Sequence, residues 1–448
     1  MKISLIAIAI WGFYIVYKKK DKYELITNNI FWIFISWMFA LGLYFFSGIK
    51  YTFNLNIYSF GYIILFWGIF WLGQYISKFL FNINSKEINK NDDFSTKINL
   101  FPIFIVSLIS VIIYAIYIIS INNIKVGVTR DINTNGFATF LLIISNSSLV
   151  IWLYELAYAL LNEKRISWYG LVSVIVYNLP GIIISGRDAL MIFAISTVIV
   201  FLYCAIYARK VLKTEGEMLK KIMKYALIAV IIMLIYLVFL SSNRYGTSDD
   251  STINMFRWSA GCKFPAYLET IYYKLGGFGK LVINLVFYYS SQISKLALML
   301  EEYNEPYLGG LYQLHYVSRI LPESWNLDFS LVNDKIAEIT RNRGVPGLKV
   351  FWETAIGYSV YDFGRLGALV VTFLCGIVTG KVNLWCKRNR NILKIIMEIF
   401  ICVAMFLTIQ LSPLFDYYYI FPLFWLIVIV LWNYRKSNLE NKEEEKKS

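Results

Sequence analysis

The sequence predicts an all-α polytopic membrane protein of about eleven (ten to thirteen) transmembrane helices with one large loop outside the membrane. Three observations carry that reading. Hydrophobic residues fill 58% of the 448 positions and charged residues only 16%, against roughly 25% charged in a soluble chain. Several apolar runs approach the ~20 residues that cross a hydrocarbon core about 30 Å thick. The runs are continuous rather than alternating, which excludes a β-barrel.

The first run, 3–17, has the length of a signal peptide. It lacks an A-x-A cleavage site and is followed by Lys18, Lys19 and Lys20, so it reads as a retained helix. Runs at 30–48, 57–77, 100–121, 137–161, 168–184, 189–207 and 225–241 complete an N-terminal membrane domain over 1–241. A long connection, 242–352, follows. Runs at 353–380, 393–411 and 417–433 make a C-terminal set of three, ahead of a lysine/glutamate-rich tail, 434–448, too poor in apolar residues to fold.

Basic residues orient these spans. Of the 43 Lys and Arg, 25 fall in alternate connections and the tail: 18–22, 78–99, 164–165, 208–224, 381–390 and 434–448. Short basic loops stay cytoplasmic, which puts the N-terminus outside, the C-terminus inside and 242–352 on the outer side. The net charge of +14 therefore reflects topology, and no nucleic-acid partner is implied. Five cysteines without CxxC spacing indicate neither a disulfide framework nor a zinc site.

Two stretches test this layout. The loop holds a further apolar run, LVINLVFYYSSQISKLALML (281–300). A single crossing there would turn KVNLWCKRNR (381–390) outward. The run must re-enter, lie on the outer surface as an amphipathic helix, or pair with a short segment at 307–321. The second stretch is SGRDALM (185–191), which interrupts a long uncharged run. Pro180, Gly181 and Gly186 break the helix and set Arg187 and Asp188 at a hairpin tip. There the charges avoid most of the roughly 2.5–3.5 kcal/mol that each costs at mid-span.

The outer face collects the charge that topology does not explain: Arg187 with Asp188, Arg244, Arg257, His315 with Arg319, Arg341 with Arg343, and Asp362 with Arg365. Each has a plain alternative. Arg187 and Asp188 could pair with each other, Arg244 could anchor a helix end at the headgroups, and Asp362 and Arg365, three apart, could neutralise each other on one helix face. Convergent arginines instead suit a phosphate or pyrophosphate, which their planar fork grips bidentately. Histidine titrates near neutrality and could take a proton from a sugar hydroxyl. Tyr303, Tyr307, Tyr312, Tyr316, Tyr358 and Tyr361 crowd the same region; flat rings with a polar edge suit sugars and suit a membrane interface equally. GGFGKL (276–281) lacks the spacing of a phosphate loop, and two adjacent aspartates, Asp249 and Asp250, form a solvated turn more readily than a metal site.

Three stretches share a pattern: SGRDAL (185–190), NEPYLGGLYQLHYVSRILP (304–322) and GVPGLKVFWETAIGYSVYDFGRLGALV (344–370). The chain resembles the O-antigen polymerases, the oligosaccharide repeat-unit polymerases of bacterial surface polysaccharide. The likeness covers most of the chain as hydropathy plus these weak motifs. The resemblance implies a membrane-embedded glycosyltransferase in the bacterial cytoplasmic membrane, working on the outer face without metal or cofactor. Its substrates would be undecaprenyl-pyrophosphate-linked oligosaccharides, and its neighbours membrane lipids, a flippase and a chain-length regulator. By motif position Arg187 and Arg365 would hold the pyrophosphate, with Arg244 and Arg341 placed beside them by topology. His315 is the candidate base and Asp362 its reserve. A ligase using the same lipid carrier, or a transporter of lipid-linked sugars, remains the alternative. An Arg-x10-Gly pattern, Arg365 to Gly376, falls inside a predicted helix and reads as chance.

Overall fold

A computed structural model describes residues 1–18, 25–80, 94–122, 136–183, 188–208, 251–314, 330–350, 353–388 and 390–445. The elements in chain order are α1 (Lys2–Lys18), α2 (Asn29–Phe46), β1 (Lys50–Tyr51), α3 (Ile57–Leu80), α4 (Phe101–Asn122), α5 (Gly136–Ser145), α6 (Ser147–Leu161), α7 (Trp168–Ile183) and α8 (Asp188–Tyr207). They continue with α9 (Ser251–Ala260), β2 (Cys262–Lys263), α10 (Ala266–Lys274), α11 (Gly276–Glu302), α12 (Ser330–Asn342), a 3-10 turn (Pro346–Val350), α13 (Ala355–Cys386), α14 (Ile392–Leu407) and α15 (Tyr417–Glu445). The fold is all-α; β1 and β2 form a two-residue antiparallel pairing, Lys50 opposite Lys263 and Tyr51 opposite Cys262.

Among the described residues seven helices are long and apolar enough to cross a membrane: Asn29–Phe46, Ile57–Leu80, Phe101–Ile121, Gly136–Leu161, Asp188–Tyr207, Ala355–Cys386 and Tyr417–Arg435. The chain is a multi-pass membrane protein. Of the remaining predicted spans, 3–17, 168–184 and 393–411 are helices of 17, 16 and 16 residues, and 225–241 lies outside the described residues. The expectation for the tail is corrected: α15 continues from the last span through 434–445, because a helix satisfies its own backbone hydrogen bonds without burying an apolar face.

The predicted domains follow chain order, whereas the compact units do not. One unit comprises Met1–Ile83, Ile222–Val382 and Cys402–Asp416; the other comprises Asn84–Lys221, Asn383–Ile401 and Tyr417–Ser448. Helices distant in sequence are drawn together because each must bury a face that its chain neighbours leave open.

In the first unit α2 starts on Asn28, whose side chain accepts from the Ile30 amide at 3.0 Å, capping an otherwise unpaired N–H. Its Trp37 donates to Thr408 Oγ1 at 3.1 Å and meets Trp67 of α3 edge-on at 5.7 Å. The seam between α3 and α13 is built on small residues. A Cβ at Gly73 would overlap the Phe373 carbonyl, one at Gly376 the Phe70 carbonyl, and one at Gly380 the Ser77 hydroxyl. Close backbone approach through small residues is how apolar helices associate where no hydrophobic effect drives them. Gly376 therefore has a packing role that owes nothing to the Arg-x10-Gly spacing.

The 281–300 run lies within α11, one unbroken helix of 27 residues packed against α2, α3, α9 and α10. Every residue from Ser290 to Leu300 is buried. α11 runs on without the turn of a re-entrant segment, and toward its N-terminal end it keeps an exposed side at Phe278 and Leu285.

In the second unit α4 packs on α5 and α7, and α6 on α7 and α8, around Tyr114, Ile118, Ala138, Leu141, Leu142 and Ile183. The buried Glu155 takes Lys97 at 3.3 Å and the Tyr169 hydroxyl at 2.6 Å. Asn162 donates to the Phe94 carbonyl at 2.8 Å. These contacts join 94–100 to 162–167, two connections that the basic-residue count assigns to one side.

Candidate functional site

The first unit gathers the stretches 47–56, 261–267, 301–314, 353–354 and 408–416, which contain or border connections that the sequence reading assigns to the other side. Tyr267 donates to the Ser47 carbonyl, Ser294 to the Phe53 carbonyl at 2.6 Å, and Ala355 N–H to the Thr408 carbonyl at 2.8 Å. Around them lie the buried polar side chains of Lys295, Gln313, Glu353, Thr354, Asp362 and Gln410.

At their centre Lys295 Nζ and Glu353 Oε1 are 2.5 Å apart, with side chains 1% and 5% exposed. Lys295 also donates to the Lys349 carbonyl at 3.4 Å. Burial pushes the Glu353 carboxyl up and the Lys295 ammonium down, and their mutual attraction opposes both shifts. A buried charge is tolerated only when paired and hydrogen-bonded, and each member supplies what the other needs.

A turn over 309–314 closes beside this pair. Gly309 and Gly310 have φ of +62° and +102°, a region that favours glycine. Asp362 ties the turn to α13. Its carboxylate accepts from the Tyr312 and Gln313 amides at 2.9 and 3.2 Å, and its carbonyl from the Gly309 amide at 2.7 Å. The Gln313 side chain in turn accepts from Ser412 at 2.5 Å.

Tyrosines wall the cluster. Tyr303 and Tyr361 lie 4.6 Å apart, Tyr312 lies 5.6 Å from both Tyr358 and Tyr361, and Tyr358 lies 4.6 Å from Phe415. Burial, and then the neighbouring negative and phenolic groups, push the Tyr303 and Tyr312 hydroxyls up, so they serve as neutral donors. Of the six predicted tyrosines, five assemble here; Tyr316 lies outside the described residues. Four of the five are buried and Tyr307 is exposed, so their place is inside the protein rather than in an interfacial belt.

Of the predicted charged residues, Arg187, Arg244 and His315 lie outside the described residues. Arg341 is exposed in the last turn of α12. Arg365 is exposed at the rim, its guanidinium donating to the Glu301 carbonyl at 3.0 Å and its own carbonyl accepting from Tyr62 at 2.7 Å. Arg343 pairs with Glu302, so two guanidiniums meet the C-terminal end of α11, where the helix dipole favours cations. The shared helix face expected for Asp362 and Arg365 is corrected: Gly364, with φ +69° and ψ 175°, splits α13 between them. Asp362 turns inward to the 309–314 amides and Arg365 outward to Glu301. A Cβ at Gly364 would stand 3.0 Å from the Tyr307 ring.

Lys295 and Glu353 were not among the predicted site residues. The available signal was an ionisable side chain inside each of two apolar stretches, QISKLALML and VFWETAIGY, which marks a functional candidate by default. Comparison with known protein families, with curated proteins and with solved structures returns no match.

Proposed function

We propose that this chain is a membrane glycosyltransferase that polymerises undecaprenyl-pyrophosphate-linked oligosaccharide repeat units into surface polysaccharide, on the outer face of the bacterial cytoplasmic membrane. In this reading eleven spans put the N-terminus outside and the C-terminus in the cytoplasm. The observation that carries it is a convergence: the two outer-side stretches with the resemblance, 304–322 and 344–370, contribute the tyrosine wall, the Asp362-tied turn, Glu353 and the rim cation Arg365 to one place.

The chemistry follows from the side chains. Arg365 and Arg341, with Arg187 and Arg244, hold the pyrophosphate and stabilise the charge that develops as it leaves. The acceptor hydroxyl oxygen attacks the anomeric carbon of the donor sugar. The bond from that carbon to the phosphate oxygen breaks, and the lipid pyrophosphate departs with the electron pair. His315, which follows directly on the 309–314 turn in sequence, takes the hydroxyl proton. Asp362 spends its carboxylate on two amides, so its role is to position that turn. The Lys295–Glu353 pair fixes the wall on which sugar rings stack.

The test is extension by the purified protein, in detergent, of lipid-linked repeat units isolated from a strain lacking it. A ladder from wild type and single units from Arg187→Ala, at equal expression, support the reading. Normal ladders from Arg187→Ala remove that arginine from the site. Transfer of finished glycan to a different acceptor, without a ladder, indicates a ligase.

A further inference from the structure

We infer that one face of α11 is the saccharide-binding surface of this site, a track for the uncharged glycan that runs away from the arginines. The inference rests on the glycosyltransferase reading above.

The starting point is a polar imbalance on a single helix. Asn284, Ser291 and Gln292 are 1%, 0% and 2% exposed. Among the described residues, both amide atoms of Asn284, the Ser291 hydroxyl and both amide atoms of Gln292 have no hydrogen-bond partner. Buried polar groups are almost always paired, and leaving one unpaired destabilises the fold. Three on one helix, five atoms in all, need a reason.

Their placement supplies it. At 3.6 residues per turn, Asn284, Ser291 and Lys295 fall within about 40° of one another, and Gln292 about 60° beyond Lys295. The imbalance is confined to that face. Serines flanking that face are satisfied: Ser290 shares a hydrogen bond with Tyr51 at 2.6 Å, and Ser294 donates to the Phe53 carbonyl at 2.6 Å.

Charge is ordered along the same helix. Its C-terminal end, Glu301 and Glu302, holds the guanidiniums of Arg365 and Arg343. One to two turns back is the Lys295–Glu353 pair. Beyond it, over the ~16 Å from Lys295 to Asn284, come only neutral groups that each donate and accept. Phosphate needs cations; a sugar needs neutral donors and acceptors at short intervals. The order matches a lipid-linked saccharide with its pyrophosphate at the Glu301 end and its glycan toward Asn284. The helices packed on α11 must part to admit it.

The experiment compares full-length wild type with the double variant Asn284→Leu, Gln292→Met in detergent. Two probes are used: the neutral repeat-unit oligosaccharide released from its carrier by mild acid, and inorganic pyrophosphate. Melting temperature and tryptophan fluorescence are read. The account expects both probes to raise the wild-type melting temperature. The variant, relieved of unpaired buried groups, melts above wild type without a probe, loses at least about tenfold in oligosaccharide affinity, and keeps its pyrophosphate response. An unchanged oligosaccharide response overturns the track, and so does a variant that melts below wild type, since its amides were then paired. If the double variant does not fold, Ser291→Ala takes its place, and unaltered oligosaccharide binding there is equally fatal. A wild type that answers neither probe brings down the glycosyltransferase reading itself, a different failure from a variant that still binds sugar.

Discussion

Lys295→Met is the sharpest perturbation the structure offers. It strands the Glu353 carboxylate, 5% exposed and 2.5 Å from the ammonium that the substitution removes. With so little exposure, solvent does not screen the loss. Removing one partner of such a pair costs about 3–5 kcal/mol. Glu353→Gln strands Lys295 and falls in the same range. The double variant leaves no uncompensated charge, so it should destabilise by less than the two singles together, with a coupling of several kcal/mol in the cycle.

The pH dependence of the singles has opposite signs. In Lys295→Met, burial raises the Glu353 pKa above its ordinary 4.5. A carboxyl raised on folding is best tolerated below its unfolded pKa, so this defect grows as pH rises above that value. In Glu353→Gln, burial lowers the Lys295 pKa below its ordinary 10.5. The folded state then binds the proton less tightly, and the defect grows as pH falls below 10.5. Thermal melts in detergent at pH 5 and pH 8 measure both. Additive singles, or defects that move with pH in the same direction, would refute the buried pair.

Gly376→Leu should prevent the close approach of α13 to Phe70 and lower the melting temperature by more than Leu374→Ala on the exposed side of the same helix; equal effects would count against the seam. Asp362→Asn keeps the shape of the side chain but weakens its hold on the Tyr312 and Gln313 amides, by about 1–3 kcal/mol, and polymer yield should fall with the protein still expressed. Arg365→Lys should keep a cation at the C-terminal end of α11, which Arg365→Ala removes, yet still fail to polymerise, because lysine lacks the bidentate fork; full activity in the lysine variant would show that only a positive charge is needed.

The spans were legible because a run of apolar residues states its own length, and the helices at 29–46, 57–80 and 355–386 fall close to where those runs lie. The tyrosine cluster was legible as a density of one residue type in two stretches. The ion pair was not: 58 positions separate Lys295 from Glu353, and each looks like an isolated charge until α11 and the start of α13 are brought together. The Asp362–Arg365 register failed for a local reason, because a helical spacing says nothing about a left-handed glycine placed inside it. Gly376 shows the reverse error, a residue dismissed with its motif whose lack of a side chain lets two helices touch. The polar face of α11 was hidden by its setting: asparagine, serine and glutamine within an apolar run read as incidental until their hydrogen-bond partners are sought.

The most direct measurement is the size profile of lipid-linked and surface glycan in a strain deleted for this chain, complemented with wild type or with Arg365→Ala. The account predicts single repeat units in the deletion and in the Arg365→Ala strain, with the ladder restored by wild type alone. Undiminished long polymer in the deletion strain would contradict it.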